Sequence, residues 1–160
     1  MATYDDEIVA PVEVQLVAFK LKNEEYGFNI LNVQEIKELT DITRVPFAAD
    51  YIKGVINLRG SVLPVIDLKR RLGIEDTPYT TNTRIVIVKY EDPYVGLVYV
   101  GMLVDAVTEV RTIDEDDIDT NNRNINSDAN EKFVYGVGKI DTRLIIMLDI
   151  KEVIGPIGEG

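Results

Sequence analysis

The chain repeats itself. Residues 51–73 (YIKGVINLRGSVLPVIDLKRRLG) and 133–155 (FVYGVGKIDTRLIIMLDIKEVIG) align without a gap at an offset of 82 positions. The offset sets Gly54 on Gly136, Val55 on Val137, Asp67 on Asp149, Lys69 on Lys151 and Gly73 on Gly155. The residues ahead of each copy echo one another too. Leu16 to Gly27 (LVAFKLKNEEYG) is similar to Ile85 to Gly96 (IVIVKYEDPYVG), and both lead to a V-x-E-[IV] segment, at Val33–Ile36 and at Val107–Val110. Self-similarity at a fixed spacing marks one supersecondary unit used twice, and any fold assigned to this chain must accommodate it.

The unit is β-rich. Gly54 to Leu58 and Ser61 to Leu68 are apolar runs separated only by Arg59-Gly60. An X-Gly pair between two such runs predicts a hairpin, because glycine takes the positive φ of a tight turn. Asp67 followed by Leu68-Lys69-Arg70-Arg71-Leu72 and Gly73 predicts one helical turn with an acidic N-cap and a glycine stop. The second copy adds Glu152 three residues after Asp149, an acidic form of the capping-box spacing. Upstream, Pro11 to Leu21 and Tyr26 to Ile30 read as a hairpin about Asn23-Glu24-Glu25.

Asn32 to Leu39 fits both a helical and a strand period. A strand is favoured because the echoing Met102 to Val110 is richer in β-branched residues. Thr40 to Ala49 is expected to be a loop, with Pro46 holding Val45 extended. Pro64 inside its run predicts an edge or bulged strand, and Ile146 replaces it in the second copy. Thr83–Tyr90, Tyr94–Val100 and Met102–Val110 are further strands, while 111–132, rich in Asn and Asp, is expected to be a solvated loop.

About ten short strands at regular spacing make the chain all-β, in two similar subdomains of five strands. Each would close as a small barrel of SH3-like or OB kind, which removes exposed edges. The expected boundaries are a flexible N-terminus over 1–13, subdomain 1 over 14–73, a connector over 74–82, subdomain 2 over 83–155 and a tail over 156–160. Strands or the C-terminal helix are free to cross over between them.

Charge narrows the function. With 17 basic against 28 acidic residues the net charge is −11, a field that repels nucleic acid and anionic lipid. Histidine and cysteine are both absent, which removes the usual general base, thiolate nucleophile and commonest metal ligands. No leader or membrane-length apolar run is evident, so a cytoplasmic protein without membrane insertion is expected. No catalytic residue, metal or cofactor is assigned. Asp117, Asp119, Asn121 and Asp128 fall on positions 1, 3, 5 and 12 of an EF-hand loop. Asn122 stands where that loop needs glycine, however, and no helices flank it. Paired carboxylates such as Glu24/Glu25 and Asp116/Asp117 point apart on a strand or turn and make no acid–base site.

Arg59 stands out. It occupies a hairpin turn, and its counterpart in the repeat is Asp141, so the scaffold does not require a cation there. Arginine is favoured at binding hot spots. Glu35 recurs as Glu109, so a structural role fits it as well. Val33, Ile36, Ile52, Val55 and Ile56 cannot all hide inside a five-stranded barrel whose faces alternate. Some must line a seam between subdomains or lie exposed, as apolar interaction surfaces do.

Ile52-Lys53-Gly54-Val55-Ile56-Asn57-Leu58-Arg59-Gly60, with Leu63-Pro64-Val65-Ile66-Asp67-Leu68, resembles the family of bacterial chemotaxis coupling proteins, the CheW-like domain family. The likeness runs from about Val14 to Ile154. It implies two SH3-like five-stranded barrels packed on a shared apolar seam, with short helical turns. It also implies a non-catalytic adaptor that couples methyl-accepting chemoreceptors to the histidine kinase CheA in membrane-associated arrays. The implied partners are the regulatory CheW-like domain of the kinase and the receptor's cytoplasmic tip, the latter in a groove between subdomains. The receptor-coupling positions fall on Glu35, Arg59, Asn57, Leu58 and Ile36, and the kinase-binding positions on Val33, Gly54 and Val55. The alternatives are a coupler for another receptor–kinase pathway or a cation-binding β-barrel protein.

Overall fold

The computed structural model describes residues 12–120 and 129–155. Eleven strands and two helical turns follow in order. They are β1 (Glu13–Leu21), β2 (Glu24–Asn29), β3 (Val33–Glu38), β4 (Ile52–Leu58), β5 (Ser61–Asp67) and α1 (Leu68–Leu72); then β6 (Arg84–Asp92), β7 (Gly96–Val104), β8 (Ala106–Asp114), β9 (Ile118–Asp119), β10 (Val134–Ile140), β11 (Arg143–Leu148) and α2 (Ile150–Ile154). The fold is all-β as expected, in two sheets. The β1–β2 turn falls at Lys22-Asn23, one residue earlier than expected, because Glu24 and Glu25 already pair with Leu21 and Lys20.

The two sheets are not the two halves of the chain. One has the order β8-β1-β2-β11-β10-β9 and the other β3-β6-β7-β5-β4. Each repeat unit therefore gives its first two strands to one sheet and the rest, three from the first unit and four from the second, to the other. The contiguous boundaries 14–73 and 83–155 do not describe either sheet. The crossovers are short: a 3-10 turn at Ile30–Asn32 between β2 and β3, and the single residue Asp105 between β7 and β8. Connections this tight turn the chain away from the preceding hairpin, so β3 pairs with β6 and β8 with β1.

Both sheets close on themselves. In the second sheet β3 and β4 are opposite edges, yet Thr43, just beyond β3, bridges to Val55 of β4. In the first sheet the same place is taken by β9, where Asp119 pairs with Val137, the repeat counterpart of Val55. The sixth strand of that sheet is thus a two-residue version of the Thr43 bridge. It also corrects the expectation for 111–132: β8 runs to Asp114 with Ile113 buried, and a 3-10 turn, β9 and a further 3-10 turn at Glu131–Phe133 follow. Two of the four EF-hand positions, Asn121 and Asp128, lie outside the described residues.

Pro64 is accommodated differently from expectation. β5 lies between β7 and β4, so it is no edge strand, and the bulge falls on β4 between Ile52 and Gly54. Pro64 faces Val55, one residue before the parallel ladder to β7 begins at Val65. A residue without an N–H is tolerated there because no strand yet lies on that side. Its counterpart Ile146 can donate, and it does stand in the equivalent parallel ladder, opposite Tyr26.

Three apolar clusters result. Ile56, Leu63, Val65, Ile85, Ile87 and Leu103 fill the second barrel. Leu16, Ala18, Ile113, Ile145 and Met147 fill the first. The largest cluster joins Phe19, Tyr26 and Phe28 of one sheet to Val86, Val88, Val100 and Met102 of the other, with Leu68 and Leu72 of α1 and Val153 of α2. It forms an apolar seam shared by both sheets. The helical turns are capped as predicted: the Asp67 side chain accepts from the Arg70 N–H and Gly73 takes φ 82°, while Asp149 accepts from the Lys151 and Glu152 N–H groups.

Candidate interaction site

The β4–β5 hairpin turns on Arg59 and Gly60, with φ 50° and 90°. Positive φ at both central residues is the primed turn that matches strand twist. Arginine has no intrinsic preference for that region. It is held there because the Asn57 side-chain carbonyl accepts the Gly60 N–H at 2.9 Å. The turn projects the Arg59 side chain into solvent, 69% exposed.

Barrel closure brings this turn to the far edge of its own sheet. Arg59 Nη2 and Nη1 both donate to the Glu35 carboxylate of β3. The hydrogen bond from Arg59 and its positive charge hold the Glu35 carboxyl below its ordinary value. The same pairing raises the Arg59 guanidinium. These two candidate positions, 24 residues apart in sequence, form one clasp across the barrel mouth.

The neighbours separate onto two faces. Glu35 stands opposite Ile87 of the barrel interior, whereas Ile36 stands opposite Val86 of the seam cluster. Ile36 therefore emerges at the rim of the seam, 42% exposed. Val33 and Ile52 are half-buried against the same seam, Ile56 is buried inside the barrel, and Leu58 packs against the barrel cluster. A cavity of about 410 Å³ opens beside Asn29 and Asn32 of the first crossover, between Tyr90 of one sheet and Tyr135 and Met147 of the other.

Gly54 differs from the rest: it is buried. A Cβ built there would lie 2.2 Å from the Thr43 carbonyl oxygen and 2.7 Å from Ile42 Cγ2. Only glycine admits this approach. Thr43 then exchanges two backbone hydrogen bonds with the half-buried Val55, at 2.9 and 2.8 Å. Gly136, its repeat counterpart, is approached by Asp119 O at 3.0 Å in the same manner. Repetition of Gly54 is thus a closure requirement, whereas the clasp at Glu35 is not repeated in kind. In the first barrel Glu109 and Asp141 are both acidic, and Arg111 contacts both, with Arg143 near Glu109. Thr43 carried no sequence signal, since nothing in a single threonine announces a backbone bridge.

Comparison with known proteins decides the family. The CheW-like domain model matches residues 15–156. The chain belongs to the CheW-like family. A protein named "Probable chemotaxis protein CheW" from Rhizobium etli is 37% identical over 137 residues, covering 86% of this chain and 84% of its own. The "Chemotaxis protein CheW" of Bacillus subtilis is 34% identical, covering 88% of this chain and 86% of its own. The crystal structure of the scaffolding protein TtCheW from Thermoanaerobacter tengcongensis superposes with a TM-score of 0.80 at 34% identity, over 99% of this chain and 97% of that one. This CheW-like chain therefore shares the architecture of that scaffolding protein, and among its described residues no helix is long and apolar enough to cross a membrane.

Proposed function

We propose that this CheW-like chain is a non-catalytic adaptor that couples methyl-accepting chemoreceptors to the histidine kinase CheA, recruited from the cytoplasm to membrane-associated arrays. The observation that carries the reading is the Glu35–Arg59 clasp. It joins Glu35 of β3 to Arg59 on the exposed β4–β5 turn, two of the positions proposed to couple to the receptor. Asn57 and Leu58 shape that hairpin, and Ile36 stands at the adjacent seam rim. A receptor tip would meet an apolar rim flanked by a polar, oriented ion pair, the combination that protein interfaces use for affinity and register. Val33, Gly54 and Val55 are the positions on which kinase binding would depend.

Three carboxylates are held in their charged form. Arg59 and Lys22 hold Glu35 and Glu75 below their ordinary values. Burial pushes Glu25 up, but hydrogen bonds from Arg143 and Thr108 outweigh it and the net shift is downward. A general base for neutral pH needs the opposite shift. The test is a pull-down of the purified chain with CheA and with a receptor cytoplasmic fragment from the same cell. Capture of both, separately and together, is expected, and capture of neither would overturn the reading.

A further inference from the structure

Gly54 is buried under the backbone of Thr43, so a partner cannot touch it. Any substitution at this position acts first by expelling Thr43, because a Cβ would sit 2.2 Å from a carbonyl oxygen that belongs to backbone. The consequence is carried by the segment that Thr43 anchors. From Thr43 the chain runs through Arg44, Val45 and Pro46 to Phe47 and rejoins β4 where the Ile52 N–H donates to the Ala49 carbonyl at 3.0 Å.

Phe47 is an anomaly on two counts. It takes φ 65°, a region that bulky side chains avoid. Its relative exposure is 104%, the highest among the exposed large hydrophobic residues. Pro46 fixes the preceding φ, so the turn is pre-set and the aromatic ring is presented instead of buried. Backbone strain that holds an aromatic side chain in water gains the fold nothing. Such strain is tolerated where a partner uses it. Val45, two residues earlier in the same loop, is 38% exposed.

We infer that Gly54 is a positioning residue for the loop 43–49, and that Phe47 with Val45 is the surface that meets the kinase. The inference rests on the reading that CheA binding depends on the Gly54 and Val55 positions. The loop is continuous with that face, because Thr43 is hydrogen-bonded to Val55 in both directions. The occupant is the regulatory domain of the kinase, of which an exposed Phe47 would require an apolar recess for one aromatic ring. A single exposed aromatic anchor entering a pocket is how hot spots concentrate affinity.

The test measures binding of the full chain to the CheA regulatory domain and to a receptor cytoplasmic fragment, for the parent, Phe47→Ser and Gly54→Ala, alongside hydrogen exchange of the loop amides. Phe47→Ser is expected to weaken kinase binding at least tenfold while leaving receptor-fragment binding and the exchange pattern of β4 unchanged. Gly54→Ala is expected to weaken kinase binding and to raise exchange across 43–49 and at Val55. Kinase binding that survives Phe47→Ser but is lost in Gly54→Ala would overturn the assignment of Phe47. If the parent chain binds no kinase domain, the proposed function fails and the inference falls with it.

Discussion

Removal of the Asp105 side chain is predicted to destabilise the fold far more than its place in a one-residue connection suggests. Asp105 lies between β7 and β8, where the chain leaves one sheet for the other. Its carboxylate binds Lys69 Nζ at 2.6 Å and accepts the Lys22 N–H at 2.7 Å, and its own N–H donates to the Lys20 carbonyl at 3.0 Å. Lys69 is on α1 with its side chain only 5% exposed, and it also donates to Thr77 of the connector. Four segments therefore meet at one carboxylate. Asp105→Ala would strand a buried ammonium and remove the acceptor of the Lys22 N–H. Breaking a buried pair from one side costs about 3–5 kcal/mol. Because the Asp105 side chain keeps some exposure (23%), the low end, about 3 kcal/mol, is expected. For a chain of this size that is a fall in Tm of roughly 6–12 °C. Urea unfolding followed by circular dichroism reads the change as a shift in midpoint at constant slope. Lys69→Met combined with Asp105→Ala should recover part of the loss, since no charge is then stranded. A cost under about 1 kcal/mol for Asp105→Ala alone would refute the burial argument.

Two further predictions concern the exchanged architecture and its charges. Because each unit supplies strands to both sheets, cutting the chain within 74–82 should give halves that are unfolded alone yet reconstitute the native spectrum when mixed; two independently folded halves would contradict the topology. The Glu25 carboxyl, lowered on balance in the fold despite its burial, contributes stability above the ordinary glutamate value of about 4.3 that is lost as pH falls through the folded value. Arg143→Leu should flatten that acid limb, and an unaltered limb in a pH series of unfolding curves would show that the pair does not matter.

Much of this was legible in the chain, for identifiable reasons. Hairpin turns, helix caps and the duplicated unit follow from local chemistry: Arg59-Gly60 needs positive φ, and Asp67 and Asp149 cap in the structure as their spacing implies. The likeness of the two copies also separated Arg59 from the scaffold. What the repeat concealed was the exchange of strands, because similar units pair equally well with themselves or with each other, and only the short crossovers at Ile30–Asn32 and Asp105 decide between them. Lys69 illustrates the same limit. It aligns with Lys151, and both sit one residue into a capped turn, yet Lys69 is buried against Asp105 while Lys151 is exposed. The Glu35–Arg59 contact was equally invisible, since it depends on closure of the barrel across its opposite edges.

Charge reversal at Arg59 asks whether the clasped hairpin couples receptor to kinase. Arg59 is mostly exposed, and a substitution at such a surface site leaves the fold intact. Kinase activity would be measured in a mixture of CheA, a receptor cytoplasmic fragment and either the parent chain or Arg59→Glu. The variant is expected to keep the parent's circular dichroism and melting curve but to bind receptor fragment more weakly and activate the kinase less. A folded Arg59→Glu variant that activates the kinase as well as the parent would contradict that coupling role.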